Sequence, residues 1–369
     1  MSSDVVRKLL ERKDATISRT RVTTTRVTSS PGHTTTTIAA SSTVTLSDRP
    51  VLVLHFGSRY TRAGFAGEDV PRLMLKTCVT EEADGSEKWL FDVTNSIERK
   101  ALLYKFFQKL YNKQLLVKSP EHRVLLCKDY TSQDPFFEDA VHVLQDNYSV
   151  PEVMVSYSHE LALYALGTDS ALFVDCGDRT THCIAVSKTY PIVKTLAFAD
   201  KGASTVRRRL REMIEDGDAL SEDDVEDIQV RACFACHPPE GVTSSDAPYD
   251  IGTRVLTVPG SARVCAADTL FTRDDDGASV QELVAHALNN APIDDRKDLA
   301  QRIVLLGGTS HMRGFGYRLL QELQHEAQGE GEEGTTYGYL ECPFPSNVIV
   351  WIGAAIASAL PNFHHQHTD

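Results

Sequence analysis

Three short stretches of this chain place glycine beside hydroxyl or carboxylate side chains where an apolar run ends. The first is Gly57-Ser58, behind Val51-Leu-Val-Leu54 and followed on the return by Arg62. A Gly-Ser turn offers backbone N–H groups to an anion, and the arginine supplies positive charge. The second is Asp175-Cys-Gly-Asp178, behind Ala171-Leu-Phe-Val174. Its carboxylates suit a phosphate-bound Mg²⁺, which takes a few carboxylates, waters and phosphate oxygens. The third is Gly307-Gly308-Thr309, behind Arg302-Ile-Val-Leu-Leu306, where the missing Cβ atoms let backbone approach a flat ligand. Each alone is an ordinary tight turn. Three in this order, each after an apolar strand, predict one phosphate-binding site built from Gly57, Ser58, Arg62, Asp175, Gly177, Asp178, Gly307, Gly308 and Thr309.

The elements around these turns alternate in type. Val51–Leu54 and Thr61–Gly67 read as a hairpin, and residues 96–112 as a helix with Leu102, Leu103, Phe106, Phe107 and Leu110 on one face. A strand over Arg123–Cys127, a helix over Phe136–Asn147, and Pro151–Val155 leading to a helix around Leu161–Ala165 follow. The hairpin recurs at 171–186, with a third strand predicted over Ile192–Ala197 and a helix over 202–214. After a more polar stretch, 215–300, a strand over 302–306 precedes a helix over 316–326. Alternation of this kind means an α/β fold, and the repeated hairpin means two similar domains facing each other.

Composition narrows the function classes. The 369 residues allow two or more cored domains. A net charge of -13 with dispersed basic residues excludes a general nucleic-acid binder. No apolar run reaches the length of a membrane span, and the N-terminus lacks a signal peptide's apolar core. Cys78, Cys127, Cys176 and Cys183 sit in apolar segments and read as reduced core thiols of an intracellular protein. Cys233-Phe-Ala-Cys236 with His237 has ligand chemistry but no second pair to complete a tetrahedral site, so no metal is assigned. Residues 1–48 are set apart: 15–48 is a Thr/Ser-rich run expected to be disordered. Val5, Val6, Leu9 and Leu10 mark a short amphipathic helix over 4–13, read as a fraying solvated helix, with docking in a partner groove as the alternative.

Four motifs carry a family resemblance. Ala63-Gly-Phe-Ala-Gly-Glu-Asp-Val-Pro71, Val174-Asp-Cys-Gly-Asp-Arg-Thr-Thr-His182, Leu305-Leu-Gly-Gly-Thr-Ser310 and Val350-Trp-Ile-Gly-Ala-Ala-Ile-Ala-Ser358 resemble the actin signatures, in actin's order, over residues 51 to about 360. The resemblance implies two duplicated α/β domains around a nucleotide cleft, each with an inserted subdomain. It assigns 49–165 with 346–363 to the first domain, with a reduced insertion at 72–98. The second is 166–345, with an insertion at about 203–300, and 364–369 is a tail. It implies ATP or ADP as ligand, with Mg²⁺ weakly held.

Several positions depart from the family pattern. His55 stands where actins have the aspartate that organises the metal's water shell, and Arg59 and Arg179 replace turn glycines. Ser158 stands where actins have the glutamine that positions the attacking water, while His182 is retained. Near the base, a usual carboxylate is Val230 and a usual basic residue is Asn347. A cleft altered in this way is expected to bind nucleotide and turn it over very slowly, so no residue is assigned a catalytic role. The interval 72–98 is too short for the family's plug loop, and little sequence follows Leu360-Pro361 for a final helix. This pattern of losses resembles the divergent actin-related proteins at the pointed end of dynactin. The resemblance implies a cytoplasmic, cytoskeletal cap that supports dynein-driven transport along microtubules. Its partners would be the actin-like filament of dynactin and the other pointed-end subunits, with no nucleic acid or membrane. The alternatives are a nuclear actin-related scaffold of a chromatin-remodelling complex and an active ATPase or phosphotransferase of the same fold.

Overall fold

A computed structural model describes residues 49–81, 84–131, 134–235, 244–275, 277–329, 336–360 and 363. The expected N-terminal arm with its helix, the tail 364–369, and Cys236 and His237 lie outside the described residues.

The first half is a sheet flanked by helices. The six residues of β1 (Val51–Phe56) are all buried, so the strand has apolar neighbours on both faces and must lie centrally. It pairs antiparallel with β2 (Tyr60–Phe65), which pairs with β3 (Leu73–Lys76). A small separate hairpin, β4 (Cys78–Thr80) and β5 (Glu87–Trp89), precedes α1 (Ser96–Lys109). Asn95 starts α1 by accepting hydrogen bonds from the N–H groups of Ile97 and Glu98. Then come β6 (Arg123–Lys128), α2 (Asp134–His142), β7 (Val153–Tyr157) and α3 (Ser158–Leu166). β6 lies parallel to both β1 and β7, giving the order β3-β2-β1-β6-β7.

The second half repeats the plan. β8 (Ala171–Cys176) and β9 (Thr181–Ser187) form the equivalent hairpin, with β10 (Tyr190–Pro191) and β11 (Ala197–Ala199) both on β9. α4 (Ala203–Met213) and α5 (Glu222–Ala232) lead to a two-stranded ribbon, β12 (Ala247–Asp250) and β13 (Val255–Val258). Next are α6 (Gly260–Cys265), α7 (Asp268–Phe271), α8 (Val280–Asn290) and α9 (Ile293–Ala300). β14 (Ile303–Leu306) then adds parallel to β8, and α10 (Phe315–Gly329) covers the sheet.

The last helix, α11 (Ile349–Ser358), returns to α3. The two approach backbone to backbone: a Cβ on Gly353 would stand 2.0 Å from the Leu161 carbonyl oxygen. Their shared core takes Val51, Val53 and Leu125 from the first sheet and Phe173, Ile184 and Val304 from the second. The helix pair is therefore the joint between the halves.

Three expectations need correcting. Ile192–Ala197 is not a strand, because Val193–Thr195 forms a tight helical turn and β11 begins only at Ala197. The Thr195 hydroxyl accepts from the Ala185 N–H at 2.8 Å, so a side chain takes the place of a strand carbonyl. The first insertion is narrower than 72–98, since β3 belongs to the main sheet and 96 begins α1. The second ends before 300, since α8 packs chiefly on β9 and β11 of the main sheet.

Candidate functional site

All nine residues expected to contact phosphate line one cavity of about 650 Å³ between the halves. The first turn closes through Gly57 N–H to the Tyr60 carbonyl, 3.0 Å, and the Thr77 hydroxyl donates to the Gly57 carbonyl at 2.7 Å. The second turn is pinned from below, where the first N–H groups of α4, Ala203 and Ser204, donate to the Gly177 and Asp178 carbonyls. Thr309 joins the third turn to the second by donating to the Gly177 carbonyl at 2.6 Å. Gly307 has φ +83, and a Cβ there would stand 2.2 Å from the Cys176 carbonyl, so glycine is required. A Cβ on Gly308 would meet nothing within 4 Å, which leaves its backbone open to a ligand.

Charge is concentrated on the cavity floor. The Arg62 guanidinium is buried, and its Nε makes no hydrogen bond. Burial lowers its pKa, opposed by the charges of Asp175 and Asp129. Burial, joined by the Arg62 charge and opposed by Asp129, lowers His55 to about 4, so its imidazole is neutral. Burial likewise takes His159 down to about 3, with His182 adding to the shift. Burial raises the Asp175 carboxyl to about 6, against the pull of His182 and Arg62. For Asp129 burial pushes upward too, but its surroundings, His182 foremost, bring the carboxyl below its ordinary value. His159 Nε2 and His182 Nε2 meet at 3.1 Å.

Asp129 and His159 were not singled out from sequence. Asp129 follows β6 directly and His159 is the second residue of α3, so both read as element ends. A polar residue just past the carboxyl end of a parallel strand was the available signal.

One of the expected site residues has another duty: Asp178 lines the cavity, but its carboxylate accepts from Arg207 at 2.7 Å. Arg179, which replaces a turn glycine, turns across the opening to pair with Asp92. Arg59 also crosses, bonding Glu226 at 2.6 Å and Asp223 at 3.1 Å on α5 while lying 4.6 Å above the Trp89 ring. Lys76 binds Asp223 at 2.7 Å and Glu87 at 2.9 Å. Ser158 is fully buried beneath the floor, and its hydroxyl makes no hydrogen bond.

A family model described as Actin matches residues 47–237 and 255–368, well over half of the chain. The chain belongs to the actin family. The two sheets with their common joint are thus the actin-like α/β fold. Actin-family proteins generally bind a nucleotide together with a divalent metal. The nucleotide fits what is present here: a cavity of suitable size, open glycine backbone at 308, and a buried guanidinium with an unpartnered Nε. Gly57, Ser58, Gly177, Gly307 and Gly308 would hold it, with Arg62 facing its phosphates. Mg²⁺ takes one or two carboxylates with waters and phosphate oxygens, and Asp175 and Asp129 at the cavity would supply them, since Asp178 is engaged by Arg207. In this actin-family chain the cradle persists, and the carboxylates beside it share the floor with the imidazoles of His55, His159 and His182. No helix among the described residues is long and apolar enough to cross a membrane.

Proposed function

We propose that this actin-family chain is a non-polymerising end subunit that caps the pointed end of dynactin's actin-like filament. In that place it supports dynein-driven transport along microtubules, alongside the other pointed-end subunits in the cytoplasm. The observation that carries this reading is the size of the first insertion. Among the described residues between β3 and α1 the chain forms only the β4–β5 hairpin, with three residues in each strand, and then the turn Leu90–Asp92. The hairpin is held to its own half: Cys78 and Leu90 are buried, and Leu90 N–H donates to the Thr77 carbonyl. It has no length left to reach a neighbouring subunit. Head-to-tail filaments need two complementary surfaces, so a subunit lacking one can join an end and then stop growth there.

The closed cleft supports a structural use of nucleotide. The pairs from Arg59, Lys76 and Arg179 span the opening, and Ser158, standing in place of a glutamine, is fully buried and does not line the cavity. An adenine nucleotide, ATP or ADP, then acts as a wedge between the halves with negligible turnover. Sedimentation and end-labelled microscopy test the cap. Pure protein should stay unassembled at concentrations where actin polymerises, and should bind one end of an actin-like filament. Self-assembly, or binding along filament sides without end preference, would refute the reading.

A further inference from the structure

The geometry points to a transition-metal site of the zinc class on the cleft floor, built from His159 Nε2, His182 Nε2 and a carboxylate oxygen of Asp175. Among the described residues, these three form a buried group whose ligand atoms all lie within 4.8 Å of one another. The two Nε2 atoms are 3.1 Å apart with their rings inclined at 74°. Two nitrogens bound to one Zn²⁺ at about 2.0–2.1 Å in tetrahedral geometry are separated by a comparable distance. Asp175 and His182 both line the cavity, so a fourth position opens towards it. Two imidazoles, one carboxylate and one open position make a set that suits zinc and not magnesium.

A second set of observations points the same way. Asp129 Oδ1 is buried near the imidazoles and makes no hydrogen bond in the protein. Without an ion, the 3.1 Å contact uses one Nε2–H and one Nε2 lone pair, whereas an ion between the rings takes both Nε2 lone pairs. Around the pair, two carboxylates, Asp129 and Asp175, face one guanidinium, Arg62. A bound cation balances that excess and uses the nitrogen lone pairs as ligands. This site concerns the floor alone and stands whether or not the chain caps a filament.

Zinc itself is the probe. The protein is the full-length chain carrying C236S, H237N, H364N, H365N and H367N, which removes the Cys236-His237 pair and the tail histidines. After chelation and desalting it should take up one Zn²⁺ per chain, measured by elemental analysis, without displacement by excess Mg²⁺. His159→Asn and His182→Asn should each weaken binding by about 100-fold or more, the upper end seen even for loss of an outer ligand partner. Should those variants fold poorly, Asp175→Asn gives the same test. The parent's Co²⁺ form gives an independent one: visible bands of a four-coordinate nitrogen and oxygen site, with no sulfur charge transfer. No uptake in this background, unchanged affinity in the histidine or Asp175 variants, displacement by Mg²⁺, or a thiolate band would each overturn the site.

Discussion

The same strand–turn–strand unit occurs twice in this molecule, and its two turns are held in different ways. The turn at 177–180 has its backbone pinned by two α4 N–H groups and by Thr309, and its Asp178 side chain by Arg207. The turn at 57–60 has one bond across itself and two from Thr77, to the Gly57 and Arg59 carbonyls. Each turn also sends an arginine to the opposite half, Arg59 to Glu226 and Arg179 to Asp92. The second turn is thus braced by the start of a helix and the first by a single threonine. A duplicated scaffold has kept its backbone and diverged in what its side chains do.

The largest effect should come from filling the pinned turn. A Cβ on Gly202 would stand 2.5 Å from the carbonyl oxygens of both Gly177 and Asp178. Gly202→Ala should lower unfolding free energy by about 3 kcal/mol, against about 1 kcal/mol for Gly57→Ala, whose Cβ would meet Tyr60 O at 2.9 Å. Urea titrations with unchanged slope would measure both; equal losses would mean that the two turns are held alike.

The next effect separates the floors by pH. His55 titrates near 4 in the folded protein against 6.5 when exposed, through burial and Arg62 and in spite of Asp129. Above pH 6.5 the residue is neutral in both states and affects nothing. As pH falls towards 4 the unfolded chain takes a proton that the folded one refuses, and stability drops, by about 3 kcal/mol in full. His55→Gln should flatten the stability curve across that window. An unchanged slope would place the acid sensitivity elsewhere.

The smallest effect distinguishes the pairs that span the cleft. Arg59 is buried and its partner Glu226 is largely so, with side-chain exposures of 9% and 18%, whereas Arg179 and Asp92 are 39% and 49% exposed. Arg59→Ala should cost about 2 kcal/mol and Arg179→Ala about 0.5 kcal/mol or less. Hydrogen exchange in α5 should quicken only in the first. Similar acceleration in both would show that the latch is shared along the opening.

Much of this was legible beforehand because the turns follow apolar strands whose burial leaves no freedom of placement. Val51–Phe56 and Ala171–Cys176 are buried at every position, so the glycines behind them had to converge. Thr195 shows why other parts were not. A hydroxyl that replaces a strand carbonyl leaves no mark in periodicity, and Ile192–Ala197 looked apolar enough for a strand. Asp129 and His159 were hidden for a different reason: 30 positions separate them, and only the parallel pairing of β6 with β7 brings their ends together. The pairing of Arg179 was not legible because its partner, Asp92, lies in the shortened insertion, whose course the sequence pattern does not reveal.

The joint between the halves also endows the molecule with its own optical reporters. The chain has two tryptophans, and each sits where the halves meet. Trp351 on α11 is fully buried and donates its indole N–H to the Val53 carbonyl at 3.2 Å, so it emits from a dry, fixed environment. Trp89 is half-buried beneath the Arg59 guanidinium at the cleft opening, where water and a cation shape its emission. Blue-edge fluorescence therefore follows the joint and red-edge fluorescence follows the mouth. A single unlabelled sample can distinguish a cleft that opens from a hinge that comes apart.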